Sequence, residues 1–462
     1  MGYGEAELLK GKRPAKPIQN RLTFSVHKKL IVAEVMMPGL ESSLPVLLYV
    51  FDLLSVYDRR LSRYFQNILP LWDVADPKAI FISLFLQPIL GLEFMSHYRQ
   101  YYPEIKAALK PHFPIYGADK IVSVLDKITT SMAAWKLLLF QARILKERGV
   151  ALLGDVKERA LDIDWTTLLS FASQREGAEV GMNKKYRGKP CFQFSASFMG
   201  RVFVDGNLFP GASNPKVFFQ KSVKRAIALG FLFYIVRADS AYLSLENLLF
   251  LKKLSLGYAI GAPANFKAVK EGIKRFKRLA RQKHRSIVNL NKGISALDLG
   301  QVSLSHDVST RLIIVRRINR RKNRRTNKWR IRTYFYAIAT SLTRSVTKVY
   351  VFYHKRQCIE SGFRELKRHY HLERLPVRSL KGNEFWIICK MVSMTLVRLF
   401  QLEMLPRVYR SMSRATLFRV VLINGISLDQ CNKVQIRPGA RHKWALQRLL
   451  AKLERMETAV NP

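Results

Sequence analysis

Few folds can accommodate the stretch from Ala160 to Ala264. It opens with ALDIDWT, whose apolar and polar residues alternate with the period of a half-buried strand. CFQFSASFMGRVFVDGNLF follows as two strands joined at Gly200, and FLFYIVRADSAYL carries an apolar run of the kind buried on both faces. The helical segments SNPKVFFQKSVKRAIALG, ending at Gly230, and SLENLLFLKKLSLG, closed by Gly257, flank that run, and YAIGAPA is one more strand. Three strands, a helix, a strand, a helix and a strand predict an α/β domain, a mixed sheet with helices packed on it.

Charge narrows what such a domain works on. The 462 residues include 79 Lys plus Arg against 33 Asp plus Glu, a formal charge of +46, while 48% of residues are hydrophobic. The apolar share supplies real cores, so the chain is not a disordered basic tail. The charge points to a polyanion, with nucleic acid first and an anionic membrane surface second. The longest apolar runs, LPVLLYVFDLLSVY, AIFISLFLQPILGLEF and FWIICKMVSMTLVRLF, are each broken by a charge, Gln or Pro before about 18 residues, so they read as core helices and not as spans. Cys191, Cys358, Cys389 and Cys431 lie far apart with no CxxC pair, which argues against a zinc site or disulfide framework and suits a reducing cytoplasm. MGYGEAELLKGKRPAK lacks the apolar core of a signal peptide.

Five segments follow from the patterning. Residues 1–150 read as a helical N-terminal DNA-binding domain opened by a loose basic arm over 1–30, although no helix-turn-helix stands out. Breaks are expected at Pro38–Gly39, Pro70, Pro77, Pro103 and Pro111–Pro114. The first part of the α/β core covers 151–265. Residues 266–345 form a β-rich basic insertion; from Phe266 to Arg332 there are 21 Lys plus Arg against 3 Asp plus Glu. The core resumes over 346–410 with a helix at 350–370, and 411–462 is a basic helical segment and a candidate for dimerisation.

That helix, YHKRQCIESGFRELK, places Tyr353, Arg356, Glu360 and Lys367 within an arc of about 60° at 100° per residue. Phe352, Ile359, Phe363 and Leu366 make a separate apolar stripe that can pack on the sheet. Other acids fall where the sheet gathers ligands. Asp162 and Asp164 share a strand face in LDIDWTT, and Asp239 ends the apolar strand in YIVRADSAY. Three converging carboxylates repel one another unless a divalent cation lies between them, and oxygen ligands select Mg²⁺ or Mn²⁺. Two such ions clamp the attacking and leaving oxygens of an in-line phosphoryl displacement, the chemistry a polynucleotide binder needs. Glu360 reads as a ligand, with Arg356 and Lys367 holding phosphates and Tyr353 adding a hydroxyl contact. The first acid is Asp164 or Asp162, with Asp164 preferred.

The spacing Y-x2-R-x3-E-x6-K at Tyr353, Arg356, Glu360 and Lys367 resembles the signature of the DDE transposases of bacterial insertion sequences, the cut-and-paste group. LDIDWTT, with Asp164 followed by Thr166, looks like the first-Asp motif, and Asn183 to Phe198 resembles the segment after it. VRADSAYLS looks like the second-Asp motif, where relatives usually have Gly at Ala241, and YAIATSL resembles the strand before the Glu helix. The similarity spans about 150–400. It implies a ribonuclease-H-like core interrupted by a β-rich insertion, and Asp164, Asp239 and Glu360 holding two Mg²⁺ or Mn²⁺ ions. It also implies a homodimer that cuts double-stranded DNA at terminal inverted repeats and joins the ends to target DNA. The competing readings are a catalytically decayed DNA-binding relative and a ribonuclease-H-like nuclease that hydrolyses without joining.

The run RRINRRKNRRTNKWRIR is dense enough in cations for contacts to the DNA backbone, with Arg320, Arg321, Arg324 and Arg325 as candidates. Trp329 within it packs under the insertion sheet, the favoured reading, or stacks on a flipped base as an insertion-domain aromatic does in the transposases it resembles.

Overall fold

A computed structural model describes residues 21–26, 29–34, 40–56, 77–109, 114–170, 174–183, 186–214, 217–305, 308–322, 327, 329–422, 426–428, 434–436 and 442–460. At the end of the stretch expected to be a loose arm, and just beyond it, β1 (Arg21–Val26) pairs antiparallel with β2 (Lys29–Glu34). Helices α1 (Leu40–Val56), α2 (Pro77–Leu90), α3 (Met95–Leu109), α4 (Ala118–Asp126) and α5 (Met132–Glu147) follow. Pro77 opens α2, where a missing N–H costs nothing. Pro103 does not break the chain as expected but lies inside α3. An interior Pro costs about 3 kcal/mol, and the complete burial of Tyr98, Ile105 and Leu109 on that helix, at about 1.5–3 kcal/mol each, outweighs it. The expected breaks at Pro38–Gly39, Pro70 and Pro111 lie outside the described residues.

The sheet begins with β3 (Ala160–Leu169), β4 (Glu179–Val180), β5 (Pro190–Met199) and β6 (Val202–Pro210). Gly200 makes the tight turn between β5 and β6 at φ +56°, where an added Cβ would lie 2.3 Å from the Leu152 carbonyl. After α6 (Phe218–Ala228) comes β7 (Ile235–Ala238), only four residues of the apolar run. Phe231 and Phe233 are buried ahead of it while Leu232 and Tyr234 face solvent. Helix α7 (Leu245–Lys253) is closed not by Gly257 but by Ser255 at φ 54°; Gly257 instead starts β8 (Gly257–Ala262).

The spatial order β6-β5-β3-β7-β8 has β3, β7 and β8 parallel and β5 antiparallel to both neighbours. Numbered along the chain this is 3-2-1-4-5, the ribonuclease-H-like arrangement. The next segment, α8 (Lys267–Arg281), β9 (Ile287–Asn291), β10 (Ile294–Ser303), β11 (Ser309–Lys322) and β12 (Trp329–Thr340), does not build a sheet of its own. β12 pairs antiparallel with β8, so β12, β11, β10 and β9 prolong the same sheet. Two faces result. Phe335 of β12 meets Phe276 of α8 on one, and its neighbour Tyr336 meets His354 on the other.

Helices α9 (Val346–His354), α10 (Gln357–His369) and α11 (Leu380–Met404) return across the sheet, and α12 (Lys443–Val460) comes last. Ile359, Phe363 and Leu366 of α10 are buried as their spacing predicts, with Phe363 5.2 Å from the ring of Phe203. Phe352 packs in a separate cluster with Ala160, Ile235 and Ile338. α11 contains a stretch apolar and long enough to cross a membrane, but 94% of that stretch is buried inside the protein. It contacts α1, α2, α4, α5 and β6, so the helices before residue 150 share one hydrophobic core with the sheet.

Candidate active site

The register of the parallel strands assembles the site. Ile163 of β3 pairs with Ala238 of β7, so the next residues, Asp164 and Asp239, stand side by side where β7 ends. Asp239 caps the short turn Ser240–Tyr242, its Oδ1 accepting from the Ala241 N–H at 2.9 Å. Ala241 has no left-handed backbone angle, so alanine fits where relatives carry glycine. Glu360 lies in the first turn of α10 with 44% of its side chain exposed.

Arg356 ties these groups together. Its Nη1 donates to Asp164 Oδ2 at 3.1 Å and its Nη2 to Glu360 Oε1 at 2.6 Å. Burial pushes the Asp164 carboxyl up to about 6; Asp239 and Glu360 add to the rise, while Arg356 and the Trp165 N–H oppose it. Burial also raises the Tyr353 phenol, against the lowering effect of Arg356. Lys367 donates from Nζ to the Thr167 carbonyl at 3.1 Å and pairs with Glu373 at 3.0 Å. A cleft of about 520 Å³ opens here, bordered by Asp164, Asp239, Trp165, Tyr186, Lys367 and Arg374. Its far wall is pinned by Lys390 of α11, which donates to the carbonyls of His371 and Arg374 at 2.6 and 2.7 Å.

Asp162 is elsewhere. It is 1% exposed and takes a two-pronged contact from Arg237, Nε to Oδ1 at 2.6 Å and Nη2 to Oδ2 at 2.8 Å. Asp164 is thus the acid that faces the cleft. Nothing in the strand-face argument singled out Arg237, although a cation inside the apolar run IVRAD was a visible signal that a buried anion awaited it.

Tyr353 and Glu360 do not share one helix, contrary to the sequence expectation. α9 ends at His354 and α10 starts at Gln357. Arg237 Nη1 donates to the Phe352 carbonyl at 2.7 Å, and the Arg356 N–H turns to Tyr353 O at 3.1 Å, tightening the chain by one residue. The Tyr353 hydroxyl reaches over Gly261 of β8, where a Cβ would lie 2.8 Å from that oxygen and 2.9 Å from the Ser240 nitrogen. Gly261→Ala is therefore expected to destabilise the protein by about 1–3 kcal/mol in urea denaturation, because the Ser240 backbone cannot step aside.

The basic run is further out. Trp329 is not packed under the sheet, since 65% of it is exposed. Arg320 of β11 is exposed, Arg321 pairs with Arg330 in the β11–β12 ladder, and Arg324 and Arg325 lie outside the described residues.

The donor chemistry fits a divalent cation. Three carboxylates supply hard oxygen ligands, and the like-charge contribution to the Asp164 shift is what a cation between them would relieve. As the side chains stand, no three His, Cys, Asp or Glu among the described residues converge closely enough to hold an ion. The positive charge between Asp164 and Glu360 is the Arg356 guanidinium.

The family described as transposase DDE domain matches residues 156–396, from just before β3 into α11. No curated protein matches the chain in sequence. Among solved structures, the cryo-EM structure of a piggyBac transposase synaptic complex with hairpin DNA is 11% identical, over 91% of this chain and 73% of that one. Its TM-score is 0.32, a likeness from which nothing about this chain follows.

Proposed function

Because the chain belongs to the transposase DDE-domain family, we propose that it cuts double-stranded DNA at the ends of a bacterial insertion sequence and joins them to target DNA. The observation that supports this reading is that strand register sets Asp164 beside Asp239 on the border of one cleft, while Arg356 links Asp164 to Glu360. Asp164, Asp239 and Glu360 would hold divalent ions, Mg²⁺ or Mn²⁺. Bound there, the ions supply charge neutralisation at the phosphoryl oxygens and acidify the attacking water.

The chain's own groups do the rest. Arg356 donates to both the Asp164 and Glu360 carboxylates and so positions them relative to each other. Lys367 and Arg374 stand on its border, where their charges meet backbone phosphates. Tyr353, fixed over Gly261, orients its hydroxyl beside Arg356 and Asp239. The exposed arginines of β11 and β12 contact DNA backbone outside the cleft. On this reading the protein acts as a homodimer on terminal inverted repeats in a bacterial cytoplasm, with 1–150 reading the DNA and 411–462 serving dimerisation.

The test incubates the protein with the DNA that flanks its gene, Mg²⁺ or Mn²⁺, and a plasmid target. Discrete cuts at inverted repeats and covalently joined plasmid are expected. Cuts without joined product identify a nuclease, and no cut product identifies a DNA-binding relative that has lost catalysis.

A further inference from the structure

Helix α8 presents cations that no part of the site described above uses. Lys267, Lys270, Lys274, Arg278 and Arg281 fall within an arc of about 80° at 100° per residue. All five are exposed, and no ion pair engages them among the described residues. The opposite side of the helix carries Val269, Gly272 and Phe276, which are buried on the sheet. Gly272 lets the helix lie close, since a Cβ there would be 2.6 Å from Leu299. The stripe therefore points straight away from the protein. From Lys267 to Arg281 it runs about 21 Å, the length of about six base-pair steps.

The stripe lies on the sheet face away from the carboxylates. α8 touches Phe335, whereas α9 touches Tyr336, the next residue of β12. Asp162 and Asp164 belong to the α9 side, because Arg237 binds both Asp162 and the α9 carbonyl of Phe352. The α8 face continues onto the β11–β12 ladder. Arg316 stacks on Phe276 of α8 at 5.3 Å, and alternation along β11 puts Arg320 on the same side. Ile331, paired with Arg320, and Trp329, two residues away, share that side and are both exposed. A groove of about 590 Å³ between α8 and β10 is lined by Lys274, Arg275, Arg278 and Gln301, with Glu271 the one acid among its residues.

We propose that this face holds a second DNA duplex, separate from the one at the Asp164 cleft. Its identity as DNA rests on the functional reading above; its separateness rests on the two faces. Duplex DNA is stiff over about 150 base pairs, so one short duplex cannot lie on both faces at once. Five cations spread over about 21 Å, with Glu271 the one acid of the helix beside them, are a surface for a regular polyanion, and exposed Trp329 and Ile331 lie on the same sheet face.

The test compares the full chain with its Lys267→Gln/Lys274→Gln/Arg278→Gln variant; Gln keeps helix propensity, and equal melting temperatures check the fold. Each protein is first saturated with unlabelled element-end duplex, then titrated with a labelled 30-base-pair duplex of unrelated sequence, at several salt concentrations. The parent is expected to bind the second duplex, and the variant to lose that binding at least tenfold, with its salt slope reduced by about 2–3. A labelled duplex of end sequence in a parallel arm distinguishes target DNA from a second element end. Unchanged affinity and slope in the variant overturn the proposal, as does a loss seen only with phosphatidylserine vesicles. Loss of the second duplex in a protein that never cuts ends leaves this surface standing and removes the catalytic reading alone.

Discussion

Glu360→Gln and Asp164→Asn proteins are expected to bind element-end DNA and to cut it about a thousandfold or more slowly than the parent. Each change keeps the shape of the side chain and removes one charged oxygen donor from the cleft. Such donors carry several kcal/mol of transition-state stabilisation, and each 1.36 kcal/mol is a decade in rate. Glu360 is the cleaner test, because its side chain is 44% exposed and its loss leaves the core intact. Single-turnover cleavage on a sequencing gel, beside a mobility shift on the same DNA, separates chemistry from binding. A Glu360→Gln protein that cuts at the parent rate would remove Glu360 from the catalytic set.

Arg237→Met is expected to act on stability, by about 3–5 kcal/mol, the usual consequence of stranding one partner of a buried ion pair. Both Asp162 oxygens lose the donor Arg237 supplies, and the Phe352 carbonyl keeps only the Lys355 N–H. The deficit has a definite pH dependence. Burial already raises the Asp162 carboxyl against the pull of Arg237, and without that cation it rises further. A carboxyl whose folded pKa exceeds its unfolded value favours the fold most below the unfolded value, and that contribution is lost as pH climbs through the folded one. The variant should therefore fall further behind the parent at pH 8 than at pH 5 in urea titrations. An equal deficit at both would show that Asp162 stays charged without Arg237.

Much of this architecture was legible in the residues. Alternation in ALDIDWT, the hairpin at Gly200 and the apolar run before Asp239 placed the strands, because each face of a sheet leaves its mark every second residue. The same periodicity could not choose between Asp162 and Asp164, which point the same way. Their difference comes from β7, where Arg237 sits opposite Asp162 and nothing cationic sits opposite Asp164. Neither could helical spacing reveal the break between Tyr353 and Gln357, which arises when a side chain from another strand captures the Phe352 carbonyl. Composition identified 266–345 as basic and β-rich, yet an edge pairing such as β12 with β8 leaves no periodic trace. Trp329 was misread for a related reason. An aromatic in a strand is normally packed, but β12 extends well beyond its short pairing with β8, and Trp329, at its far end beside Lys322 of β11, is left in solvent.

That edge pairing also sets the order in which the chain can fold. β9 with β10, β10 with β11 and β11 with β12 are hairpins between close neighbours in sequence, with little loop entropy to lose. β8 meets β12 only when Ala262 finds Ala337, across the whole of that hairpin array and α8. Local contacts form first and long loops close late. The α8–β11 unit should therefore be organised before it docks, and until then β8 presents an unsatisfied edge to any strand that passes. A nascent chain halted before Ala337 carries the catalytic strands with that edge open, which makes the last strand of the array the seal on the sheet.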